Sequence, residues 1–446
     1  MKKVFLLVAG LLLLNMTAYA IDHSEFIEGT FADGSEVTKV CLECHEDQAT
    51  DFMKSPHWTW SREQVVNGKM QKLGKINSIN NFCTTTSSNR VHCSECHAGY
   101  GWADESFDFT DKSKVDCLIC HDTTGTYHKD GDNSGWPGEH VKLEEVAKNV
   151  GLPVRQNCTS CHAFGGGGDA VKHGDIDSSL DYPEKSADVH MDADGNDFQC
   201  QTCHETENHQ IPGANMATSA DGKNSFGCTK CHDAAPHEQS RLNAHTARVS
   251  CQTCHIPIFA KEIPNQLSWD WSTAGGNVTP NKKNVTYRKT MGTQTWGTKV
   301  VPTYAWFNGK SGIYMVGDKM DPTVPTKLAY PLGDISDETA KIHPFKVHTG
   351  KQIYDSENNY FITNHIYGED GFWTTFDWQR SATIGMKESG LPYSGQYGFA
   401  PTEMYWRLDH MVSPKEDALK CLDCHGDDGR MDWKALGYKG DPMDGK

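Results

Sequence analysis

The chain has 446 residues, a formal net charge of −17 and a hydrophobic content of only 37%. Recognition of phosphate groups needs a basic face, so this acidic balance argues against nucleic-acid binding. The length allows two or three ordinary domains. Because apolar residues are few and glycines number 41, we expect something other than side chains to fill much of the core.

Residues 1–20 have the pattern of an export signal. Lys2 and Lys3 precede an apolar run over 4–14, and the small-residue sequence AYA ends the segment at Ala20. The run is too short to span a bilayer comfortably. We therefore expect a periplasmic, soluble chain that begins near Ile21, with a formal charge of −19 once the two lysines are removed.

Sixteen of the 17 cysteines form eight copies of the pattern C-x-x-C-H. In this pattern two thiols attach to one porphyrin edge of a c-type haem, and the adjacent histidine binds the iron. Zinc sites or disulfides would not explain a histidine after every pair. We therefore predict eight covalently bound haem c groups. The motifs are Cys41, Cys44, His45; Cys93, Cys96, His97; Cys117, Cys120, His121; Cys158, Cys161, His162; Cys200, Cys203, His204; Cys228, Cys231, His232; Cys251, Cys254, His255; and Cys421, Cys424, His425.

Seven motifs lie within residues 21–255, at intervals that leave room for a short helix and a loop per haem. Cys83, ten residues before the second motif, belongs to none of them. A leftover cysteine in an exported protein is buried and inert, bonded between chains, or reactive. Its place in the sequence allows Cys83 to reach the distal face of the second haem.

The run Gly165–Gly168 follows the fourth motif and leads to Asp169, Lys172 and His173. Glycines let a backbone pass close over a flat macrocycle, where a Cβ would collide. The run is therefore suited to bring the Lys172 amine to the iron of a neighbouring haem. Ligation needs the neutral amine, so burial would have to depress its pKa. The alternative is a solvated lysine in a loop.

Residues 256–420 contain no motif and are rich in tryptophan and tyrosine, with short β-like runs. We expect 256–446 to form an aromatic-rich lobe that ends in the eighth motif. Helices are predicted over 143–150 and 413–425, the latter with Ser413 and Glu416 at capping-box spacing. The chain as a whole is predicted to be mainly α, with extensive loops, a little β and a haem stack as its core.

Axial ligation by two histidines at all eight irons would need eight more histidines, and fourteen lie outside the motifs. Counting therefore does not reveal a haem with an open position. Histidines near a motif or among apolar neighbours are the preferred distal ligands, and His23, His92, His128 and His140 rank lower. The preferred set is His57, His190, His209, His237, His245, His348 and His410.

These motifs, with "CLICHDTTGTYHK", "CTSCHAFGGGGDAVKHGD", "ENHQIPG" and "LNAHTARVSCQTCHIP", resemble the octahaem tetrathionate reductase family of cytochromes c over essentially the whole mature chain. That family is related in haem arrangement to hydroxylamine oxidoreductase and the multihaem nitrite reductases. The resemblance implies that the second haem (Cys93, Cys96, His97) is catalytic, with Lys172 as its distal ligand and Cys83 in the active site. It also implies bis-histidine ligation for the other seven haems. The C-x-x-C-K motif of the pentahaem nitrite reductases does not occur in this sequence.

The resemblance implies reduction of tetrathionate to thiosulfate, with electrons from a small cytochrome or a membrane-bound quinol-oxidising partner. The Cys83 thiolate is a candidate to attack the central S–S bond, and Asp169 a candidate to hold or protonate nearby groups. Two alternatives stay open: reduction of nitrite or hydroxylamine at the same haem, and a pure electron conduit without a substrate of its own.

Overall fold

The computed structural model describes residues 22–82 and 85–444. The predicted export signal and Cys83 lie outside these residues. Within them, no helix is both long enough and apolar enough to cross a membrane.

The motif-bearing part of the chain is built from short helices joined by loops. The longest helix, α1, begins after Asp33, whose carboxylate accepts a hydrogen bond from the Glu36 amide, and it carries the first motif. Its backbone leaves helical geometry at His45 (φ −118°, ψ 33°). Over the described residues, the α-helices are α1 (Gly34–Phe52), α2 (Pro56–Thr59), α3 (Arg90–Cys93), α4 (Leu118–His121), α5 (Leu143–Lys148), α6 (Arg155–His162), α7 (Cys200–Cys203), α8 (Ser240–His245), α9 (Cys251–His255), α10 (Phe372–Thr375), α11 (Trp378–Glu388) and α12 (Cys421–Cys424).

A mixed sheet dominates the later part of the chain. Apart from the hairpin of β1 (Arg62–Val66) and β2 (Lys69–Leu73), the strands in the described ranges are β3 (Asn265–Asp270), β4 (Val285–Arg288), β5 (Gly292–Gly297), β6 (Thr303–Phe307), β7 (Ser311–Ile313), β8 (Thr326–Pro331), β9 (Lys341–Asp355), β10 (Tyr360–Phe361) and β11 (Tyr397–Arg407). The sheet order is β4-β5-β3-β9-β11-β8-β7, and β6 and β10 also pair with β9. The long strand β9 is thus the axis of the sheet.

Aromatic side chains fill the core between this sheet and helices α10 and α11. Trp269 and Trp271 stack at 4.6 Å, and Phe372 stacks on Trp378 at 3.7 Å. All four are at most 9% exposed. The tryptophan-rich composition of the interval therefore reflects a side-chain core, in contrast to the motif region.

The expectation of a mainly helical chain with little sheet needs correction, because 24% of the residues are helical and 19% lie in strands. The predicted helix over 143–150 corresponds to α5, whereas the predicted helix over 413–425 does not form as one element. The Ser413 amide donates to the His255 carbonyl, and its hydroxyl accepts from Lys261. These contacts with the seventh motif hold the segment in an extended path, and only Cys421–Cys424 is α-helical.

Gly385 lies in α11, where alanine would ordinarily be favoured because glycine is a poor helix former. We nevertheless expect Gly385→Ala to destabilise the packing of α11 on the sheet. A Cβ at this position in α11 would lie 1.8 Å from the Thr363 carbonyl oxygen. Backbone cannot yield as a flexible side chain does, so we expect a loss of about 1–3 kcal/mol or more. Chemical denaturation measures the effect. Gly440→Ala is the control, since no atom lies within 4 Å of its added Cβ, and equal midpoints for the two variants would contradict the prediction.

Candidate functional site

Motif histidines face other histidines at a nearly constant separation. A metal–nitrogen bond of about 2 Å on each side, plus about 1.1 Å from each nitrogen to its ring centre, places two trans imidazole centroids about 6.2 Å apart. Within the described residues, seven motif histidines have a partner at this distance. The pairs are His23–His45 (6.2 Å), His121–His209 (6.4 Å), His57–His162 (6.2 Å), His204–His410 (6.2 Å), His190–His232 (6.1 Å), His237–His255 (6.1 Å) and His245–His425 (6.4 Å).

This pairing is the test of whether the chain fits c-type haem, and it fits. Each pair joins a motif histidine to one from elsewhere in the chain, beside two cysteines spaced for thioether attachment. The imidazoles also suit metal binding, which requires the neutral ring. Burial lowers the pKa of His57, and that of His162 to about 3.

Six of the seven preferred distal candidates lie in these pairs, and His348 does not. Its Nε2 lies 3.0 Å from Gln266 Oε1 and its Nδ1 lies 3.2 Å from Asn81 Nδ2. The ring is fully buried (0% exposed) and both nitrogens are occupied, so the assignment of His348 as a ligand is wrong in this structure. Its apolar neighbours belong to the core around β9.

His23, which the sequence ranked low, lies opposite His45 instead. Ile27, four residues later, is buried in a small apolar cluster with Val37 of α1 and Val146 of α5. That contact brings the N-terminal segment back to the first motif. The sequence analysis ranked histidines by their distance along the chain from a motif. This criterion gave too little weight to His23, which lies 18 residues before Cys41.

His173 also approaches His162, with ring centroids 6.5 Å apart. Its Nε2, however, is enclosed by protein without a hydrogen-bond partner. The Trp406 ring packs edge-on against it at 5.1 Å. The His57 ring lies at 6.2 Å from His162, closer to the separation of the other pairs, so His57 is the better partner for His162.

The histidine of the second motif is placed unlike the others. His97 is 0% exposed, and its Nε2 lies 2.7 Å from the Trp58 carbonyl oxygen. Its Nδ1 is buried without a partner. A metal and a macrocycle cannot approach either nitrogen unless the ring rotates out of its packing. The prediction that His97 binds the iron is therefore not compatible with this conformation.

The glycine run beside the fourth motif forms neither helix nor strand, as its composition indicates. Gly166, Gly167 and Gly168 have φ values of +86°, +101° and +154°, which L side chains rarely adopt. A Cβ on Gly166 would lie 3.1 Å from Cγ of Phe82. The glycines therefore let the loop turn tightly against Phe82 before it reaches Lys172.

The sheet fixes the backbone that follows the glycines. Each main-chain carbonyl from residue 170 to 173 accepts a hydrogen bond from β3 or β9. The donors are the Gln266 amide to Ala170 (3.1 Å), Lys346 Nζ to Val171 (2.6 Å) and Lys172 (3.1 Å), and Asn265 Nδ2 to His173 (2.6 Å). The Lys172 side chain therefore projects from a rigid base.

The Lys172 side chain is half-buried, and its amine lies near the second and fourth motifs. Burial and the nearby charge of Lys75 lower its pKa to about 8, while the Cys96 and Cys161 side chains act in the opposite direction. Its Nζ lies 5.4 Å from the centre of the Trp406 ring. No hydrogen bond or ion pair engages the amine among residues 22–82 and 85–444. The lowered pKa reduces the cost of the neutral amine that a metal requires, which favours ligation over the solvated-lysine alternative.

Asp169 lies at the base of the same loop, where it holds the chain. Its Oδ1 accepts from the Ser178 amide (3.0 Å) and its Oδ2 from the Ser178 hydroxyl (2.5 Å). A protonating role for Asp169 stays a prediction, and so does the role of Cys83.

Several known proteins and protein families are similar to this chain. The family profile described as "Cytochrome c bacterial" matches residues 266–428, and that of "Cytochrome c554 and c-prime" matches residues 40–122. An uncharacterized protein of Archaeoglobus fulgidus is 29% identical, over 43% of this chain and 80% of its own length. A crystal structure of an octaheme cytochrome c from Shewanella oneidensis is 56% identical, with a TM-score of 0.90 over 95% of this chain and 98% of that chain.

The chain belongs to the octahaem cytochrome c family.

The cysteines of the cytochrome show how its motifs follow one another in space. Cysteines of the first and third, second and fourth, fourth and fifth, and sixth and seventh motifs lie close enough together to shift each other's pKa. Electrostatic contacts join the third to the fourth, the fifth to the sixth, and the seventh to the eighth. The motifs therefore form one continuous series, 1-3-4-5-6-7-8, with the second attached at the fourth.

In several of the paired histidines the second ring nitrogen has a partner, which tunes a metal-bound imidazole. Some Nδ1 atoms face backbone carbonyls, as in His121–Gly151 (2.7 Å), His204–Pro212 (2.7 Å) and His245–Arg241 (2.9 Å). Others face carboxylates, as in His425–Asp441 (2.6 Å), His410–Asp175 (3.1 Å) and His190–Asp188 (3.6 Å). A carboxylate partner makes the imidazole a stronger donor and favours the oxidised metal.

Replacing Asp441 by asparagine is expected to make the reduction potential of the haem at the eighth motif more positive. Loss of the carboxylate on His425 Nδ1 weakens electron donation to the oxidised metal. A tenfold change in the balance between oxidation states corresponds to about 59 mV for a one-electron couple, and we expect a shift of roughly that size. Potentiometric titration followed by absorption spectroscopy measures it.

Asp427→Asn is the matched control for that experiment. Asp427 is exposed and follows the same motif, so the substitution removes an equal charge. Equal shifts in the two variants would show that charge alone, and not the hydrogen bond to His425, sets the potential.

Proposed function

We propose that this chain is a periplasmic reductase that carries eight covalently bound haems and reduces tetrathionate to thiosulfate at the haem of the second motif. One observation carries the proposal. Seven motif histidines face a second histidine across the distance of a bis-ligated metal, and His97 of the second motif does not. A metal held by two imidazoles transfers electrons but does not readily bind a substrate.

Bound haem c supplies one-electron transfer at every motif and, at the second, an iron with an exchangeable axial position. His97 is withdrawn into the protein, and Lys172 is the basic nitrogen that the loop presents there. If Lys172 held the iron of a haem bound here, the withdrawn His97 would leave room for a substrate without displacement of the lysine.

The charges near the second motif suit an anionic substrate. Lys75 is close enough to lower the pKa of Lys172, and both lysines influence Cys96. The Lys75 ammonium lies 4.1 Å above the Trp60 ring. The Lys75 ammonium beside the site favours a dianion such as tetrathionate.

The order of the motifs supplies the electron path. The second motif joins the series at the fourth, through the contact of Cys96 with Cys161. Electrons that enter at either end of the series therefore converge on the fourth haem before they reach the site. We propose a small periplasmic cytochrome or a membrane-bound quinol-oxidising protein as their source.

Cys83 is proposed to act on the sulfur substrate directly. Attack of its thiolate on the central S–S bond releases one thiosulfate and leaves the other half bound to the cysteine as a disulfide. Two electrons then release the second thiosulfate and restore the thiolate. Its chain neighbour Phe82 packs against the glycine run.

Replacing Lys172 by alanine is expected to abolish most of the tetrathionate turnover, by on the order of 100-fold in kcat. The spectrum of one haem should change with it, because that iron loses its nitrogen ligand. Steady-state assays with a reduced dye donor and magnetic circular dichroism measure the two effects.

Lys261→Ala is the control for a buried lysine. Burial also lowers the pKa of Lys261 to about 8, but its amine donates to the carbonyls of Ser186 and Ala187. This variant should keep both turnover and spectrum. Full turnover and an unchanged spectrum in Lys172→Ala would instead favour the pure electron conduit.

Nitrite and hydroxylamine are the alternative substrates, because an open axial position beside Lys75 and Lys172 also accepts a small nitrogen donor. Rates measured side by side with one donor decide between them. A far larger kcat/KM for nitrite or hydroxylamine than for tetrathionate would assign the site to nitrogen chemistry.

Cys83→Ser distinguishes the two routes for tetrathionate. If the thiolate attacks the S–S bond, turnover of tetrathionate falls by about 100-fold or more while nitrite reduction continues. Turnover of tetrathionate at the wild-type rate would remove the thiolate route and leave direct binding at the metal.

A further inference from the structure

His97 occupies a cage of aromatic rings. Five rings lie within 6.2 Å of its centroid, three from tryptophan and two from phenylalanine. They are Trp102 (4.8 Å), Trp58 (5.3 Å), Trp60 (5.3 Å), Phe107 (5.7 Å) and Phe109 (6.2 Å). These rings also pack on one another, with Phe107 and Phe109 at 4.8 Å and Trp60 and Trp102 at 5.1 Å. The cage is therefore a packed cluster and not a loose surface fold.

Hydrogen bonds hold the imidazole inside the cage. Its Nε2 donates to the Trp58 carbonyl at 2.7 Å, which assigns the proton to Nε2. Trp58 is itself held by a hydrogen bond from its Nε1 to the Phe109 carbonyl (3.0 Å). Burial lowers the pKa of His97 to about 3, so the ring is neutral in the cage.

The backbone of His97 is held from the other side by a buried ion pair. Lys129 Nζ donates to the carbonyls of His97 (2.6 Å) and Gly99 (3.2 Å). It also pairs with Asp116 at 2.8 Å, and both side chains are at most 1% exposed. Tyr100 donates to the second carboxylate oxygen of Asp116 (2.7 Å). His97 has an extended backbone here (φ −81°, ψ 130°), and this network keeps it so.

Gly99 makes the withdrawn position of the ring possible. A Cβ at residue 99 would lie 2.7 Å from Cε1 and 2.9 Å from Nδ1 of His97, and 2.7 Å from Cζ3 of Trp58. Real Cβ contacts are never so short. Any side chain at position 99 would therefore compete with the imidazole for the same space.

We propose that the aromatic cage, with Gly99 as its floor, is a ligand-excluding device that keeps His97 off the iron of the second haem. The inference rests on the proposed function, in which that iron needs a free axial position. An imidazole next to a haem attachment site binds the metal unless something holds it elsewhere. The cage, the Trp58 carbonyl and the Lys129–Asp116 pair together supply that restraint.

The test is Gly99→Ala in the full haem-loaded protein. The added methyl group displaces the ring from the cage, and His97 then binds the second iron. Near-infrared magnetic circular dichroism should show the distinct haem of the wild type replaced by one with a histidine ligand. Cyanide binding, the probe of an open position, should weaken by at least tenfold.

Gly227→Ala is the matched control, because it too lies beside a haem motif but no atom lies within 4 Å of its added Cβ. It should leave both the spectrum and cyanide binding as in the wild type. A Gly99→Ala protein with an unchanged spectrum and unchanged cyanide affinity would overturn the proposal. A wild-type spectrum that shows a histidine ligand on the second iron would also overturn the proposal, and this measurement needs no variant.

Lys172→Ala, measured in parallel, separates this inference from the proposed function. If Gly99→Ala changes the distinct haem and Lys172→Ala does not, the cage stands and the amine assignment fails. If Lys172→Ala changes it and Gly99→Ala does not, the cage proposal fails and the amine assignment stands.

Discussion

Two imidazoles on opposite sides of one metal must lie about 6 Å apart between ring centres, and the polypeptide is arranged around this constraint. Seven motifs supply one ring each, and another part of the chain must return to supply the second. His23 and His45 are 22 residues apart, whereas His204 and His410 are separated by more than 200. Long regular helices would not allow so many returns, so the motif region consists of helical turns and loops. The sheet supplies the rigidity that this region lacks.

The sheet also sets the geometry of the second motif, although no motif lies on a strand. Strands β3 and β9 bind the carbonyls of the lysine-bearing loop, and Trp406 of β11 packs beside it. The buried Lys346 donates to two of these carbonyls, and no carboxylate among the described residues forms an ion pair with it, which is a costly environment for an ammonium group. This unfavourable burial holds the Lys172 loop in place at the expense of the stability of the folded chain. The glycines allow the backbone of the loop to turn tightly, and the hydrogen bonds from β3 and β9 then hold the loop in one conformation.

The exceptional motif differs from the other seven in what surrounds its histidine, not in its sequence. "CSECH" is as regular as the other copies. Its imidazole is buried by aromatic rings that come from two separate segments, residues 58–60 and 102–109. Attachment of a haem and ligation of its iron are therefore separable properties of one motif. In the proposed function, this separation allows a multihaem electron carrier to contain a reactive site.

Local chemistry was readable from the sequence, because thioether attachment needs two cysteines and a histidine at fixed spacing. The cofactor class, the glycine-bordered lysine and most of the distal histidines followed from short stretches such as "CTSCHAFGGGGDAVKHGD". Contacts between distant segments were not readable. His348 has apolar neighbours in the sequence, yet both of its nitrogens bind Gln266 and Asn81, and His23 reaches the first motif only because Ile27 packs against α1 and α5. The spatial order of the motifs and the withdrawal of His97 likewise depend on side chains far apart in the chain, whose packing is decided only when the whole chain is folded.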